Sequence, residues 1–421
     1  MRVGDRLGPL SERPFRLLWL ARATSAVGDR MVPIALAFAV LEINGSGTDL
    51  GLVLAVGLVP NVVLVLAGGV AGDRWSRGRV MLAADAVRAL SQGAVAVLLL
   101  AGSAELWHLL VSSAVWGTAA AFFAPASTGV VPETVTPGRL QAANALLGLT
   151  RNAVGLAAPA LAGLLIVAFG TGIVFAIDSA SFLASALFLL RLPLRERRSP
   201  ERHSLIGELV DGWQELTRRT WLWVSILAFS AWNAALAVFF VLGPLVVDSE
   251  LDGARDWGIV MSGSAVGSIV GGAVALRWKP RRPLVAVFGL TLVSPLQLLL
   301  LIQPAPVLVM AGAAVLAMIG VTISITVWTT TLQENVPEHA LARVSAYDWL
   351  GSLVVMPAAY ALAGPVAALA GIDATLVGAA ALMLTAGLGA LALPSVRELR
   401  RRDTVVAVEG EQLSETSRVP A

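Results

Sequence analysis

Cysteine is absent from the 421-residue chain, which excludes disulfides, thiol catalysis and cysteine metal sites. Histidine is scarce. His108, His203 and His339 stand far apart, so no histidine metal site and no cofactor are expected. No stretch reads G-x-x-x-x-G-K-[ST], which excludes an ATP-driven pump in one chain. No Ser/His/Asp arrangement stands out, and the chain is not read as an enzyme. Charge is the largest deficit: charged residues make up 14% of the chain, where a soluble domain carries about 25%. Most of the surface therefore cannot face water. The net charge of +2 gives no reason to expect a nucleic-acid partner. No cleavable signal peptide of the usual form is seen; the first apolar stretch is long, lacks an A-x-A site and reads as a first span.

What the chain has is apolar length. Hydrophobic residues make up 57%, and the mean hydropathy is +0.79. A crossing needs about 20 mostly apolar residues. That ruler gives about twelve segments: roughly 15–41, 47–71, 79–102, 105–127, 140–168, 171–191, 221–246, 257–277, 283–302, 305–331, 342–369 and 372–393. No β-period alternation competes with them. Helices also satisfy their own backbone in lipid. An all-α membrane protein is therefore expected.

Arginine sets the orientation. The odd-to-even junctions carry almost none, Arg255 being the exception. The even-to-odd junctions and both ends are basic, as at Arg74, Arg77 and Arg79, at Arg195, Arg197 and Arg198, and at Arg400, Arg401 and Arg402. Both termini are therefore expected in the cytoplasm. The expected division is a cytoplasmic N-terminus over 1–14, a six-helix bundle over 15–191, a cytoplasmic linker over 192–220, a second six-helix bundle over 221–393 and a tail over 394–421. In the linker, Leu205, Leu209, Trp213 and Leu216 recur at helical spacing and predict an amphipathic helix on the membrane surface.

The halves look alike. Gly68-Gly69-Val70-Ala71 leads into Arg74-Trp75, and Gly271-Gly272-Ala273-Val274 leads into Arg277-Trp278. Pro132-Glu133 and Gln333-Glu334 open similar loops after the fourth helix of each half. Two matches at corresponding positions point to a duplication and to two pseudo-symmetric bundles.

Ionisable residues inside spans are costly and usually functional or paired. Asp29 lies near the middle of the first span, with Arg22 seven residues earlier on the same face. It reads either as a proton carrier or as half of a structural ion pair. Arg151, in the fifth span, is a second candidate partner, within a stripe formed by Gly148, Gly155, Pro159 and Gly163. Asp178 and Asp348 are further embedded acids, and Asp85 and Arg88 are spaced to pair locally. For these four, pairing is the simpler reading. Trp116, Phe122, Phe123, Trp232, Phe239, Phe240 and Trp328 are candidates to line a substrate cavity, with Asn144, Asn152, Asn233 and Gln297 as polar contacts and packing as the alternative for each.

The loop Gly69-Val70-Ala71-Gly72-Asp73-Arg74-Trp75-Ser76-Arg77-Gly78-Arg79 resembles the G-x-x-x-D-R-x-G-R-[RK] signature of the major facilitator superfamily as a variant, with Ser76 in place of the second glycine and Gly78 in a basic place. Phe122-Phe123-Ala124-Pro125-Ala126 and Phe175-Ala176-Ile177-Asp178-Ser179 resemble the branch of macrolide-efflux and enterobactin-exporter-like permeases. The resemblance implies a multi-pass transporter of the bacterial inner membrane, a monomer in contact with lipid. It implies proton-coupled efflux of an amphipathic small molecule (drug, antibiotic or siderophore) by alternating access, and hence a link to antibiotic resistance. A proton symporter importing a nutrient, or a non-transporting sensor or scaffold, remains the alternative. Within the resemblance Asp29, Arg22, Arg151 and Asp178 form the proton path. Gly69, Asp73, Arg74, Arg77, Arg79 and Asp348 form the cytoplasmic gate.

Overall fold

Glycine, proline and serine end and start the helices where the sequence places its junctions. α1 (Arg13–Asn44) opens on a proline and stops at Gly45, whose φ of +62° suits glycine and whose N–H bonds the Leu41 carbonyl. α2 (Gly47–Arg74) is capped by Ser46, and α3 (Arg77–Leu100) by Ser76. The departure from the loop signature at Ser76 thus has a local reason: its Oγ accepts the Arg79 N–H at 3.3 Å. α4 (Leu106–Thr134), α5 (Leu140–Phe169) and α6 (Thr171–Leu190) complete the first half. The computed structural model describes residues 8–192 and 213–401. Residues 1–7, most of the expected linker and the tail from 402 lie outside them, as do Leu205 and Leu209. The described end of the linker is helical; there Leu216 is buried and the Trp213 ring lies 5.8 Å from that of Tyr347.

The second half runs through α7 (Thr220–Glu250), α8 (Ala254–Ala275), α9 (Pro283–Thr291), α10 (Pro295–Leu299), α11 (Val307–Asn335), α12 (Glu338–Leu353), α13 (Met356–Ala370) and α14 (Ile372–Ala392). No strand occurs among the described residues. Ten helical segments are long and apolar enough to cross a membrane, α12 and α13 counting as one. Two more are needed for the expected twelve. α1 has the length but carries Arg16, Arg22, Asp29 and Arg30. The ninth crossing is split into α9 and α10 ahead of Pro295, because proline lacks the N–H and crowds the residue before it.

Lipid offers no hydrophobic force between helices, so close packing through small residues must hold the bundles together. Gly263, Gly267 and Gly271 of α8 lie against the Ala311, Val315 and Ile319 backbones of α11. A Cβ on any of them would come within 2.7 Å of a carbonyl oxygen. In the first half Gly68 of α2 lies against the Ala121 carbonyl of α4 in the same way. Gly68 and Gly271 are the glycines paired by the sequence repeat, and they make the same contact. The paired glutamates also behave alike: Glu133 takes Arg77 at 3.1 Å and Glu334 takes Arg401 at 3.4 Å.

The halves meet near their arginine-poor end. There α2 crosses α13, with Gly51 against the Tyr360 carbonyl and Gly364 against Thr48. α5 crosses α8, with Gly163 against Ala254 and Gly258 against the Pro159 carbonyl. A cavity lies between the halves beneath this closure.

Candidate functional site

The cavity measures about 950 Å³, at the upper end of the roughly 300–1,000 Å³ typical of small-molecule sites. Its two walls differ in kind. The first half contributes Arg22, Asp29, Arg30, Arg88 and Arg151, together with the rings of Trp116 and Phe123. The second half contributes Trp232, Phe239, Phe240, Trp257, Met261 and Gln297, and no charged side chain. A second hollow, of about 700 Å³ between α3 and α4, is lined by Arg79 and apolar residues and holds no acid.

Asp29, Arg88 and Asp178 each lie near the middle of their helices, α1, α3 and α6. Those helices pack together, so mid-depth groups from three segments converge. Arg88 is the centre. Its Nη2 pairs with Asp85 Oδ1 at 2.5 Å, and its Nη1 lies 3.7 Å from Asp29 Oδ1. Asp85 Oδ2 accepts from Ser185 of α6 at 2.5 Å. The guanidinium sits 4.4 Å from the Phe123 ring centroid and 4.3 Å from that of Phe182, so two aromatic faces add cation–π attraction. Asp178 is fully buried, within electrostatic reach of Asp29, Asp85 and Arg88. Gly28 makes room for it: a Cβ there would run into the Asp178 side chain.

The sequence candidates fare unequally. Asp29 lines the cavity, but its partner is Arg88 rather than Arg22 or Arg151. A shared face on one helix is overruled by a neighbouring helix that delivers a closer cation. The expected Asp85–Arg88 pair is present, and it turns out to be the hub of the cluster. Arg22 and Arg151 both line the cavity. Asp178 lies behind it.

At the gate, Arg77 donates to the Gly129 carbonyl and to Glu133. Asp348 accepts from Trp328 Nε1 at 2.9 Å, within its own half, and is not brought to Arg77 or Arg79. Gly69, Asp73 and Arg74 belong to α2, but beyond that helical backbone they lie outside the described residues.

Of the substrate candidates Trp116, Phe123, Trp232, Phe239, Phe240 and Gln297 line the cavity. Trp328 is buried against Trp221 and Phe229. Asn233 ties α7 to the eleventh crossing through the Ser352 carbonyl at 3.1 Å. Asn144 is exposed and outside the cavity lining. Trp257 and Tyr360 line the cavity and escaped the sequence reading, because nothing in the sequence marks their faces. Arg30, adjacent to Asp29 and expected to point elsewhere, lines it as well.

Comparison with known proteins follows this geometry. The chain is 28% identical over 403 residues to the multidrug efflux pump Tap of Mycolicibacterium fortuitum, covering 92% of this chain and 97% of that protein. It is 23% identical over 235 residues to macrolide efflux protein A of Streptococcus pyogenes, covering 55% of this chain and 58% of that protein. Among solved structures, a bacterial homologue of the iron transporter ferroportin in an inward-facing state superposes with a TM-score of 0.68 at 18% identity, over 90% of this chain and 98% of that one. These are transporters, not enzymes. The pattern of the Major Facilitator Superfamily matches residues 18–353, and with its helical bundles, duplicated halves and central cavity the chain is a multi-pass membrane transporter belonging to that superfamily.

Proposed function

We propose that this chain exports amphipathic small molecules, antibiotics among them, from the cytoplasm of a bacterium in exchange for protons. Export is supported by the relatives named for multidrug and macrolide efflux. The amphipathic character of the cargo is supported by a cavity whose charged groups all lie on one wall, with aromatic surface on both. Proton coupling rests on one observation: three acids, Asp29, Asp85 and Asp178, crowd around Arg88, and Arg30 is the one further cation acting on Asp29. Fully ionised, such a cluster keeps a net negative charge at mid-membrane depth, where one uncompensated charge costs about 3 kcal/mol or more. One proton makes it neutral. Asp29 is the member open to the cavity and serves as the port through which a proton enters or leaves.

With the arginine-rich ends in the cytoplasm, the closure through Gly51 and Gly258 lies on the outer side, which supports reading this conformation as the inward-open state of an alternating-access cycle. In this reading the two six-helix halves rock as a monomer in the lipid bilayer, and both termini stay inside. The α2–α3 loop around Asp73, Arg74, Arg77 and Arg79 latches the inner side once the halves rock over.

The test is Asp29→Asn in everted membrane vesicles, scored against a panel of toxic compounds. Wild-type vesicles are expected to accumulate some of these compounds at the expense of the proton gradient. Asp29→Asn is expected to reduce that exchange at least tenfold while the purified protein melts within a few degrees of wild type. Undiminished exchange by the variant removes Asp29 from the coupling mechanism.

A further inference from the structure

Two arginines of the cavity take no part in the acid cluster. Arg22 of α1 and Arg151 of α5 both line the cavity. Among the described residues neither guanidinium has an ion pair or a hydrogen bond. Arg22 lies nine residues into its helix and Arg151 eleven into its own, so both sit about 14–16 Å from the arginine-rich end. The two like charges act on each other. Their proximity is enforced from nearby: Trp19 Nε1 donates to Thr150 Oγ1 at 2.9 Å, which pins the two helices one turn from Arg22 and one residue from Arg151. Asp29, the only acid lining the cavity, is turned toward Arg88. Arginines this deep in a membrane protein ordinarily have partners. Here the protein supplies none and leaves the pair facing the central cavity.

Resting on the efflux reading, we propose that Arg22 and Arg151 together bind the anionic group of the exported molecule, a carboxylate, sulfonate or phosphate. Guanidinium forks match such groups with paired, charge-assisted hydrogen bonds. The rest of the molecule lies across the cavity against Trp232, Phe239, Phe240 and Trp257, which offer aromatic surface and no charge. The cargo is then an amphiphile with an acidic head and an apolar or aromatic body. A purely cationic drug meets like charge at this wall.

The test is a binding measurement on the full-length protein in phosphatidylcholine nanodiscs with no gradient, so its outcome is independent of whether export is proton-driven. The probes are 1-pyrenebutyrate and its uncharged methyl ester, read by energy transfer from the cavity tryptophans to pyrene. The acid is expected to bind at least tenfold more tightly than the ester. Arg22→Gln and Arg151→Gln are each expected to bring the acid down to the affinity of the ester, with the ester unaffected, and the unchanged ester affinity reports an intact fold. Arg22→Lys keeps the charge without the fork and is expected to fall between. Equal affinities for acid and ester, no binding of either, or variants that hold the acid as wild type does would overturn the assignment. So would loss of the acid preference when phosphatidylglycerol is added, which would give the pair to lipid headgroups instead. Failure of the vesicle assay with Asp29→Asn would count against proton coupling and leave this site standing.

Discussion

Arg88→Gln is expected to be among the most destabilising single substitutions in the protein, lowering its stability by about 3–5 kcal/mol. Arg88 is 3% exposed and Asp85 fully buried, and the guanidinium is Asp85's only cation. Without it Asp85 keeps only the Ser185 hydroxyl, and Asp29 loses its nearest partner. The contacts with Phe123 and Phe182 go too, each contributing about 0.5–2 kcal/mol. Breaking one side of a buried pair costs more than removing both, because the orphaned charge stays behind. Arg88→Gln/Asp85→Asn is therefore expected to be more stable than Arg88→Gln alone, with a coupling energy of about 1–3 kcal/mol. Lysine at position 88 retains the charge but not the planar fork that serves two carboxylates and two rings, so it is expected to recover only part of the loss. Thermal melts of the purified protein in detergent check all three. If the two single changes simply add, Arg88 and Asp85 are not the joined unit described here.

The hydropathy was sufficient to read an all-helical membrane bundle from the sequence, because lipid imposes span length directly on the chain. The repeat was legible at Gly68 and Gly271 because close packing in lipid leaves no room for a side chain there. The interrupted ninth crossing was missed, although Pro295 marks it, because an apolar run of the right length reads as one helix. The site was harder to read. Depth within a span identified Asp29, Asp85, Arg88 and Asp178 as groups needing an account. It did not reveal that helices α1, α3 and α6 bring them together, so Arg88 looked like a local partner of Asp85 and Arg22 like the partner of Asp29. Aromatic residues were less legible still. On a helix apolar all round, nothing distinguishes the face of Trp232, which lines the cavity, from that of Trp328, which is packed between rings.

Leucine at both Gly51 and Gly258 is expected to drive the molecule out of the conformation seen here. A Cβ at Gly51 would lie 2.1 Å from the Tyr360 carbonyl oxygen, and one at Gly258 would lie 2.6 Å from that of Pro159. Neither oxygen belongs to a side chain that can swing aside, so the helices must separate. Overpacking of this kind costs about 1–3 kcal/mol per site. A swing from 99:1 to 1:99 needs about 5.5 kcal/mol, so each single variant is expected to shift the balance partly and the double variant to shift most of it. The chain has no native cysteine, so spin labels can be placed without removing any. Labels on Leu52→Cys and Leu362→Cys, both exposed, report the gap between α2 and α13. The double variant is expected to replace the short distance with a longer one and, on the proposed alternating-access cycle, to lose at least tenfold in efflux. Gly267→Leu serves as the contrast. It crowds α8 against α11 inside one half, so it should lower the melting temperature without lengthening that distance. Gly272→Leu, where a Cβ meets open space, should do neither. An unchanged distance in the Gly51/Gly258 double variant would mean that the halves tolerate the extra bulk in place, and that these two crossings do not control which side of the cavity is shut.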